Sequence, residues 1–410
     1  MSKATSYPKD KIKILLLEGV HQNAVDEFNE RGYTNITYLK KALSEDELLD
    51  CIEDYHIIGI RSKTNITAKV LDKAKKLMAI GCFCIGTNQV DLETAGKKGV
   101  AVFNSPYSNT RSVAELIIAE SIMLLRRIPA RDKAAHKGIW LKDAKGSYEL
   151  RGKTIGIVGY GHIGSQVSVL AEAMGLKVQY YDVVPKLPLG NATSVRSLKD
   201  LMSTSDIVTL HVPETSETKN MITAKELSWM QKGSIFLNLS RGTVTDIEAL
   251  KVALEEERIA GAAVDVFPKE PKAKEERFES PLQGLDNVIL TPHIGGSTQE
   301  AQENIGVDAA TKLSNYSDNG ATVGCHTVPE LSLPVQHDTR RILHIHHNVP
   351  GVLSEINSIL SEHNVNITGQ YLKTNENIGY VVLDVEGSAT LEALEALKTA
   401  KHTIRARILF

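Results

Sequence analysis

Residues 154–182 read TIGIVGYGHIGSQVSVLAEAMGLKVQYYD, and this stretch decides the fold. The apolar run from Thr154 to Val158 reads as a buried strand. It feeds Gly159-Tyr160-Gly161-His162-Ile163-Gly164, which opens a helix. Ile163, Val167, Leu170, Ala171 and Met174 then recur at three- and four-residue spacing on one helix face. Gly175 suits the helix stop. The next strand, KVQYY, ends in the acid Asp182, 18 residues past Gly164. In this register one glycine serves a tight turn, one lets the backbone approach a pyrophosphate, and one lets helix and strand pack closely. Amides at the helix N-terminus attract the anion. Asp182 can hydrogen-bond a ribose 2′-hydroxyl and would repel a 2′-phosphate. No arginine adjoins it, although Lys186 is a nearby cation. The stretch therefore predicts a dinucleotide site selective for NAD over NADP.

The chain around it has 410 residues, 42% hydrophobic and 24% charged, with a formal net charge of −3. Those values fit two or three ordinary globular domains and give no reason to expect nucleic acid as a partner. The opening MSKATSYPKDK has no apolar core of the kind a signal peptide needs. The most apolar helical stretch, Ala114 to Leu125, carries Glu115 and Glu120 and is too short to span a bilayer. No membrane association and a cytoplasmic location are the resulting expectations. Cys51, Cys82, Cys84 and Cys325 lack the spacing of a zinc site or a disulfide framework. Cys82 and Cys84 are expected to be a pair of buried thiols on one side of a strand.

About 107 residues precede the lead-in helix of the fingerprint, and they alternate strands and helices. IKILLLEGV, NITYLK, HIIGIRS, LMAIGCFCIG and GVAVFNS read as strands of a small α/β domain, with a helix from Gln22 to Arg31. A long helix from Asn109 through RRI leads into the nucleotide domain, which continues with DIVTLHVP, SIFLNLSRG, GAAVDVF and NVILTPHIGG. A helix from Thr298 to about Tyr316 would return to the first domain. The expected partition is 1–108 with 299–336, then 109–298, then 337–410, with a polar, Pro-containing linker from Asp318 to His337. The last part orders its elements βαββαβ, the ferredoxin-like arrangement. The expected fold is a Rossmann-type doubly wound parallel sheet inserted in a smaller flavodoxin-like α/β domain, followed by that module. The charged runs Glu255 to Arg258 and Lys269 to Arg277 read as solvated surface. Trp140, in the polar KGIWLKDAKGS, is either exposed or packed on a neighbouring subunit.

Three residues with complementary chemistry stand at strand ends beyond the fingerprint: Arg241, Glu270 and His293. Alcohol oxidation by hydride transfer needs a base for the hydroxyl proton, and histidine titrates near neutrality. A carboxylate beside it would orient the ring and raise its pKa. A guanidinium would grip a substrate carboxylate with two parallel hydrogen bonds. Taken singly, each has a plainer explanation as a packing, loop or turn residue.

Together with their local motifs, Ser240-Arg241-Gly242, Phe267-Pro268-Lys269-Glu270-Pro271 and Thr291-Pro292-His293-Ile294-Gly295, they resemble the D-isomer-specific 2-hydroxyacid dehydrogenases. The resemblance covers about residues 10 to 320. It implies that Arg241, Glu270 and His293 are catalytic. It places cofactor contacts on Gly159, Gly161, His162, Ile163, Gly164, Asp182, Leu239, Ser240, Arg241, Asp265, His293, Ile294, Gly295 and Gly296. It places substrate contacts on Arg61, Ser62, Asn109, Arg241 and His293. Lys40, which with Lys41 closes the strand NITYLK, is a further candidate cation for a phosphate. Within the family, GCFCIGTNQVDL and NSPYSNTRSVAEL resemble the compact members that oxidise D-3-phosphoglycerate to phosphohydroxypyruvate in serine synthesis. HIHHNVPGVLSEI and the VNI of Val365 to Ile367 resemble an ACT module. That implies L-serine as an effector, held by His346, Asn348 and Asn366, and a homotetramer. Strand alternation puts only His344 and His346 of the histidine run on one side, so no metal site is expected. The alternatives are a dehydrogenase of another 2-hydroxy acid, with 2-oxoglutarate reduction as a possible side activity, or a non-catalytic NAD sensor akin to transcriptional corepressors of this fold.

Overall fold

The computed structural model describes residues 7–271, 276–334, 340–386 and 390–409. Residues 1–6, 272–275, 335–339, 387–389 and 410 lie outside them. The chain forms two compact units, Met1–Ser108 with Gln302–Phe410, and Asn109–Ala301.

The first unit opens with five parallel strands: β1 (Ile14–Leu16), β2 (Ile36–Tyr38), β3 (Ile57–Ile60), β4 (Ala79–Cys82) and β5 (Ala101–Asn104). Their order, β2-β1-β3-β4-β5, is the flavodoxin-like one. β1, β3, β4 and β5 are buried along their full length, as continuous apolar runs covered on both faces should be. The helix Glu45–Cys51, absent from the sequence reading, is announced by a capping box of Ser44 and Glu47. Of the two thiols expected to be buried on one side of a strand, Cys82 is buried in β4, whereas Cys84 is half-buried beyond the strand, where its sulfur contacts the Arg61 and Gly86 carbonyls.

The C-terminal module belongs to this unit. Its strands β13 (Arg340–His347), β14 (Asn366–Thr374), β15 (Ile378–Glu386) and β16 (Thr403–Leu409) form an antiparallel sheet ordered β14-β15-β13-β16. Helices Val352–Glu362 and Thr390–Thr399 complete the βαββαβ order. Leu343, Ile345, Tyr380 and Val382 share one core with Phe103, Leu313 and Tyr316. Arg405 Nη1 donates to Leu77 O at 2.6 Å, and Tyr380 Oη donates to Gly320 O at 2.7 Å. The fully buried Arg341 is neutralised by a fork to Asp384, at 2.6 and 2.8 Å.

The second unit is a seven-stranded parallel sheet of β6 (Thr154–Val158), β7 (Lys177–Tyr181), β8 (Thr193–Ser194), β9 (Ile207–Leu210), β10 (Ile235–Asn238), β11 (Gly261–Val264) and β12 (Val288–Leu290). Its order, β12-β11-β10-β9-β6-β7-β8, is that of a Rossmann sheet with a seventh strand. β8 is too short to have shown a pattern. The long lead-in helix, expected from Asn109 through RRI, is present and is followed by a second helix that the sequence did not announce. Thr110–Leu125 ends before Arg127, which adopts a left-handed backbone (φ 52°), and Pro129 sits in the first turn of Ile128–His136. Among the described residues no helix is long and apolar enough to cross a membrane.

Candidate active site

The parallel sheet of the second unit carries its site-bearing loops at the carboxyl ends of β6, β10, β11 and β12. In the first of them the three fingerprint glycines are separable. Gly159 has φ 92°, and a Cβ there would stand 2.4 Å from His211 O. A Cβ on Gly164 would stand 2.2 Å from Gly159 O, so this glycine lets the helix His162–Ala173 lie on its strand. A Cβ on Gly161 would meet nothing within 4 Å. That open space, at a helix N-terminus whose cap has no side chain, is where a pyrophosphate fits. Val167 and Ala171 are buried as expected, whereas Met174 caps the helix and is exposed. Asp182 accepts from Tyr160 N at 2.8 Å and Val184 N at 2.9 Å, which draws the acid to the glycine turn.

The loop after β10 is built on Asn238. Its Oδ1 accepts from Ser240 N and Ser240 Oγ, and its Nδ2 donates to Arg241 O and Thr245 Oγ1. Gly242 then lets this loop touch the next one, because a Cβ there would lie 2.0 Å from the Phe267 carbonyl carbon. Glu270, on that next loop, accepts Phe267 N on Oε1 at 3.1 Å. Its Oε2 lies 2.9 Å from His293 Nδ1. A carboxylate at Nδ1 fixes the proton there and leaves Nε2 for chemistry. The His293 side chain is 52% exposed and that of Glu270 36%.

The hydrogen bond to Glu270 raises the His293 pKa. Burial opposes this, while the charges of Glu270 and Asp265 add to it and that of Arg241 subtracts. Glu270 is pushed up by burial, but the His293 hydrogen bond, the Phe267 amide and the His293 and Arg241 charges bring it below its ordinary value. Arg241 thus acts on both partners, and the three residues form one electrostatic cluster.

His293 stands in the left-handed region, φ 54°. Asp265, buried just beyond β11, holds it there. Its Oδ1 accepts Thr291 Oγ1 at 2.6 Å and Ile294 N at 2.8 Å, its Oδ2 accepts Gly295 N at 2.8 Å, and its backbone O accepts His293 N at 2.8 Å. Asp265, which the resemblance placed among the cofactor contacts, here holds the backbone amides of the loop that carries His293. Gly296 packs on Asn109, whose Nδ2 would lie 2.2 Å from a Cβ at that position. Asn109 is buried, and its Oδ1 has no partner among the described residues.

In the first unit, Arg61 is half-buried directly after β3, and Ser62 and Lys40 are exposed. Lys41 is tied to Glu47 at 2.6 Å.

Comparison with known proteins agrees with this geometry. Residues 118–295 match the NAD binding domain of the D-isomer specific 2-hydroxyacid dehydrogenases. The chain is 56% identical over 407 residues to the D-3-phosphoglycerate dehydrogenase of Escherichia coli (strain K12), with 99% of each chain covered. The chain belongs to the D-isomer-specific 2-hydroxyacid dehydrogenase family. It is also 54% identical over 410 residues, the full length of both, to the D-3-phosphoglycerate dehydrogenase of Haemophilus influenzae. The crystal structure of D-lactate dehydrogenase from Aquifex aeolicus, complexed with NAD and lactic acid, superposes with a TM-score of 0.64 at 27% identity, covering 74% of this chain and 95% of that one. Residues 342–405 match the AHAS small subunit-like ACT domain.

In this dehydrogenase the ACT module brings together only part of the expected effector set. His346 is buried, with Nδ1 3.3 Å from His344 Nδ1, and His344 Nε2 lies 2.8 Å from Thr403 Oγ1. Burial and the neighbouring His346 lower the His344 pKa to about 4; burial and His347 lower that of His346. Asn348, beyond the end of β13, donates to Asn375 O at 2.7 Å. Asn366 lies elsewhere. It pairs with Glu386 at one end of β15, whereas His346 pairs with Gly379 near the other. Seven strand residues at about 3.3 Å each put roughly 23 Å between those two registers. Asn238 escaped the sequence reading altogether; a polar residue closing an apolar strand was its only signal.

Proposed function

We infer that the chain oxidises D-3-phosphoglycerate to 3-phosphohydroxypyruvate with NAD, the first step of L-serine synthesis. The observation that carries this is full-length identity of 56% to an enzyme of that name, with Arg241, Glu270 and His293 clustered on the nucleotide unit. The turn Gly159 to Gly164 would hold NAD, which when bound would accept the hydride from the substrate C2. His293 Nε2 takes the hydroxyl proton, and in the reverse direction the imidazolium returns it. Glu270 holds the ring by Nδ1 and favours the charged form that arises during oxidation. Arg241 grips the substrate carboxylate, and Asn109 is a further contact. Arg61, Ser62 and Lys40 of the first unit serve the substrate phosphate, a dianion suited to cations.

The same reading divides the chain at 1–108 with 299–336, 109–298 and 337–410. The ACT module takes an amino acid, and L-serine, the pathway product, is the candidate, with neutral His346, Asn348 and Asn366 as its contacts. The register that separates Asn366 from the other two supports a site completed by a second copy's module. Trp140 is 84% exposed, between exposed Ile139 and Leu141, which supports contact with a neighbouring copy in the homotetramer that the resemblance implies. A cytoplasmic location follows from the pathway. The test is NADH consumption with phosphohydroxypyruvate, with and without L-serine, beside the same assay on 2-oxoglutarate. A higher kcat/KM on 2-oxoglutarate would replace the substrate; no effect of L-serine would remove the effector.

A further inference from the structure

Three backbone amides of the loop after β3 converge on one carboxylate. Arg61 N and Thr64 N donate to Glu18 Oε1 at 3.1 and 2.8 Å, and Lys63 N donates to Oε2 at 3.0 Å. β1 and β3 are parallel neighbours, so the residues that leave their carboxyl ends come side by side. Glu18 has a left-handed backbone, φ 61°, and Gly19 follows it at φ 59°. A glutamate is uncommon there and must be held by its surroundings. Its own N–H is anchored on Lys41 O at 3.0 Å. The peptide of Arg61 is also gripped from the other side, where Gln89 Nε2 donates to Arg61 O at 2.6 Å.

Amides that converge in this way form a concave anion site. Here the site is filled from within, by Glu18. Glu18 therefore spends its charge on neutral N–H groups and pairs with none of the cations of this loop. Among the described residues the side chains of Arg61, Ser62, Lys63 and Lys40 have no hydrogen bond or ion pair. An incoming anion finds the loop already shaped and the cations unspent.

We propose that Glu18 is a positioning residue for the substrate loop, an internal anion that sets the backbone of Arg61 to Thr64 so that Arg61 and Ser62 are presented to substrate. The proposal deepens the substrate reading above and rests on it. Preorganisation of this kind acts on substrate binding more than on the chemical step.

The test compares Glu18→Gly and Glu18→Gln with the full-length wild type. Glycine accepts the left-handed backbone, so the first variant removes the carboxylate with little backbone strain. The KM for phosphohydroxypyruvate should rise by about ten-fold or more in Glu18→Gly, kcat should stay within about three-fold, and NADH affinity by fluorescence should not move. Glu18→Gln keeps one oxygen for Arg61 N and Thr64 N and should fall between the two. Added formate should lower the KM of Glu18→Gly and leave the wild type unaffected, because a small anion can enter the emptied amide cradle. An unchanged KM in Glu18→Gly, or no response to formate, overturns the proposal. Should the variants not fold, amide exchange on the wild type decides: Arg61, Lys63 and Thr64 must be protected, and exchange at open-loop rates refutes the role. A wild type inert toward phosphohydroxypyruvate would sink the substrate reading and leave the amide result standing on its own.

Discussion

Asp265→Asn is the sharpest test of how the histidine is placed. The wild-type carboxylate accepts a hydroxyl and two amides from the segment Thr291 to Gly295, all within 2.8 Å. An asparagine oxygen in the Oδ1 position still accepts Thr291 Oγ1 and Ile294 N, now as neutral hydrogen bonds. Its Nδ2 faces Gly295 N, donor against donor. One charge-assisted bond is lost and two are weakened, a local cost of about 2–4 kcal/mol. The left-handed backbone of His293 adds about 1–2 kcal/mol of its own pull away from the native loop. At 1.36 kcal/mol per decade, a 2–4 kcal/mol loss expressed in the placement of His293 lowers kcat by roughly 30- to 1,000-fold. The assay is kcat at saturating NADH and ketoacid, with thermal unfolding as the stability control. The same substitution is then made in a His293→Ala background. If Asp265 works through His293, the second cost nearly vanishes there. Near-normal kcat in Asp265→Asn, or full additivity with His293→Ala, refutes the reasoning.

Glu270→Gln removes the group that raises the His293 pKa. The imidazolium then loses its proton at lower pH. The acid limb of the oxidation profile, where neutral His293 is required, and the alkaline limb of the reduction profile should both move to lower pH; a stationary limb would assign it to another group. Gly161→Ala should leave the melting temperature nearly unchanged and weaken NADH by about ten-fold or more, since its Cβ meets only the space a cofactor needs. Gly164→Ala should instead cost about 1–3 kcal/mol of stability, because its Cβ collides with Gly159 O. Asp182→Ala should lower the ratio of NADH to NADPH kcat/KM, with an unchanged ratio excluding a contact between the acid and the ribose.

The legible parts of this protein are those written in short range. The fingerprint from Thr154 to Asp182 is a local register of strand, turn, helix and strand, so spacing alone exposes the dinucleotide site. The parallel strands of continuous apolar character and the βαββαβ order of the last module are local in the same sense. Arg241, Glu270 and His293 could be named because each lies in its own short motif. Other features depend on partners far apart in sequence, and no period announces them. The contact of Glu270 with His293 spans 23 residues, that of Asp265 with Ile294 spans 29, and that of Glu18 with Thr64 spans 46. The helix Ile128–His136 went unannounced because none of its residues is buried, so it carries no apolar face that a period could reveal. The distance between Asn366 and His346 is a matter of strand register, set by which residues of β15 each strand faces. Sequence by itself determined the fold class, the cofactor and the chemical types of the candidate groups, because these follow from residue identity and near-neighbour spacing. Tertiary structure alone decided which groups meet and in what posture, because carboxylates such as the buried Asp265 and the half-buried Glu18 choose their amides only after the sheets have brought distant strand ends together.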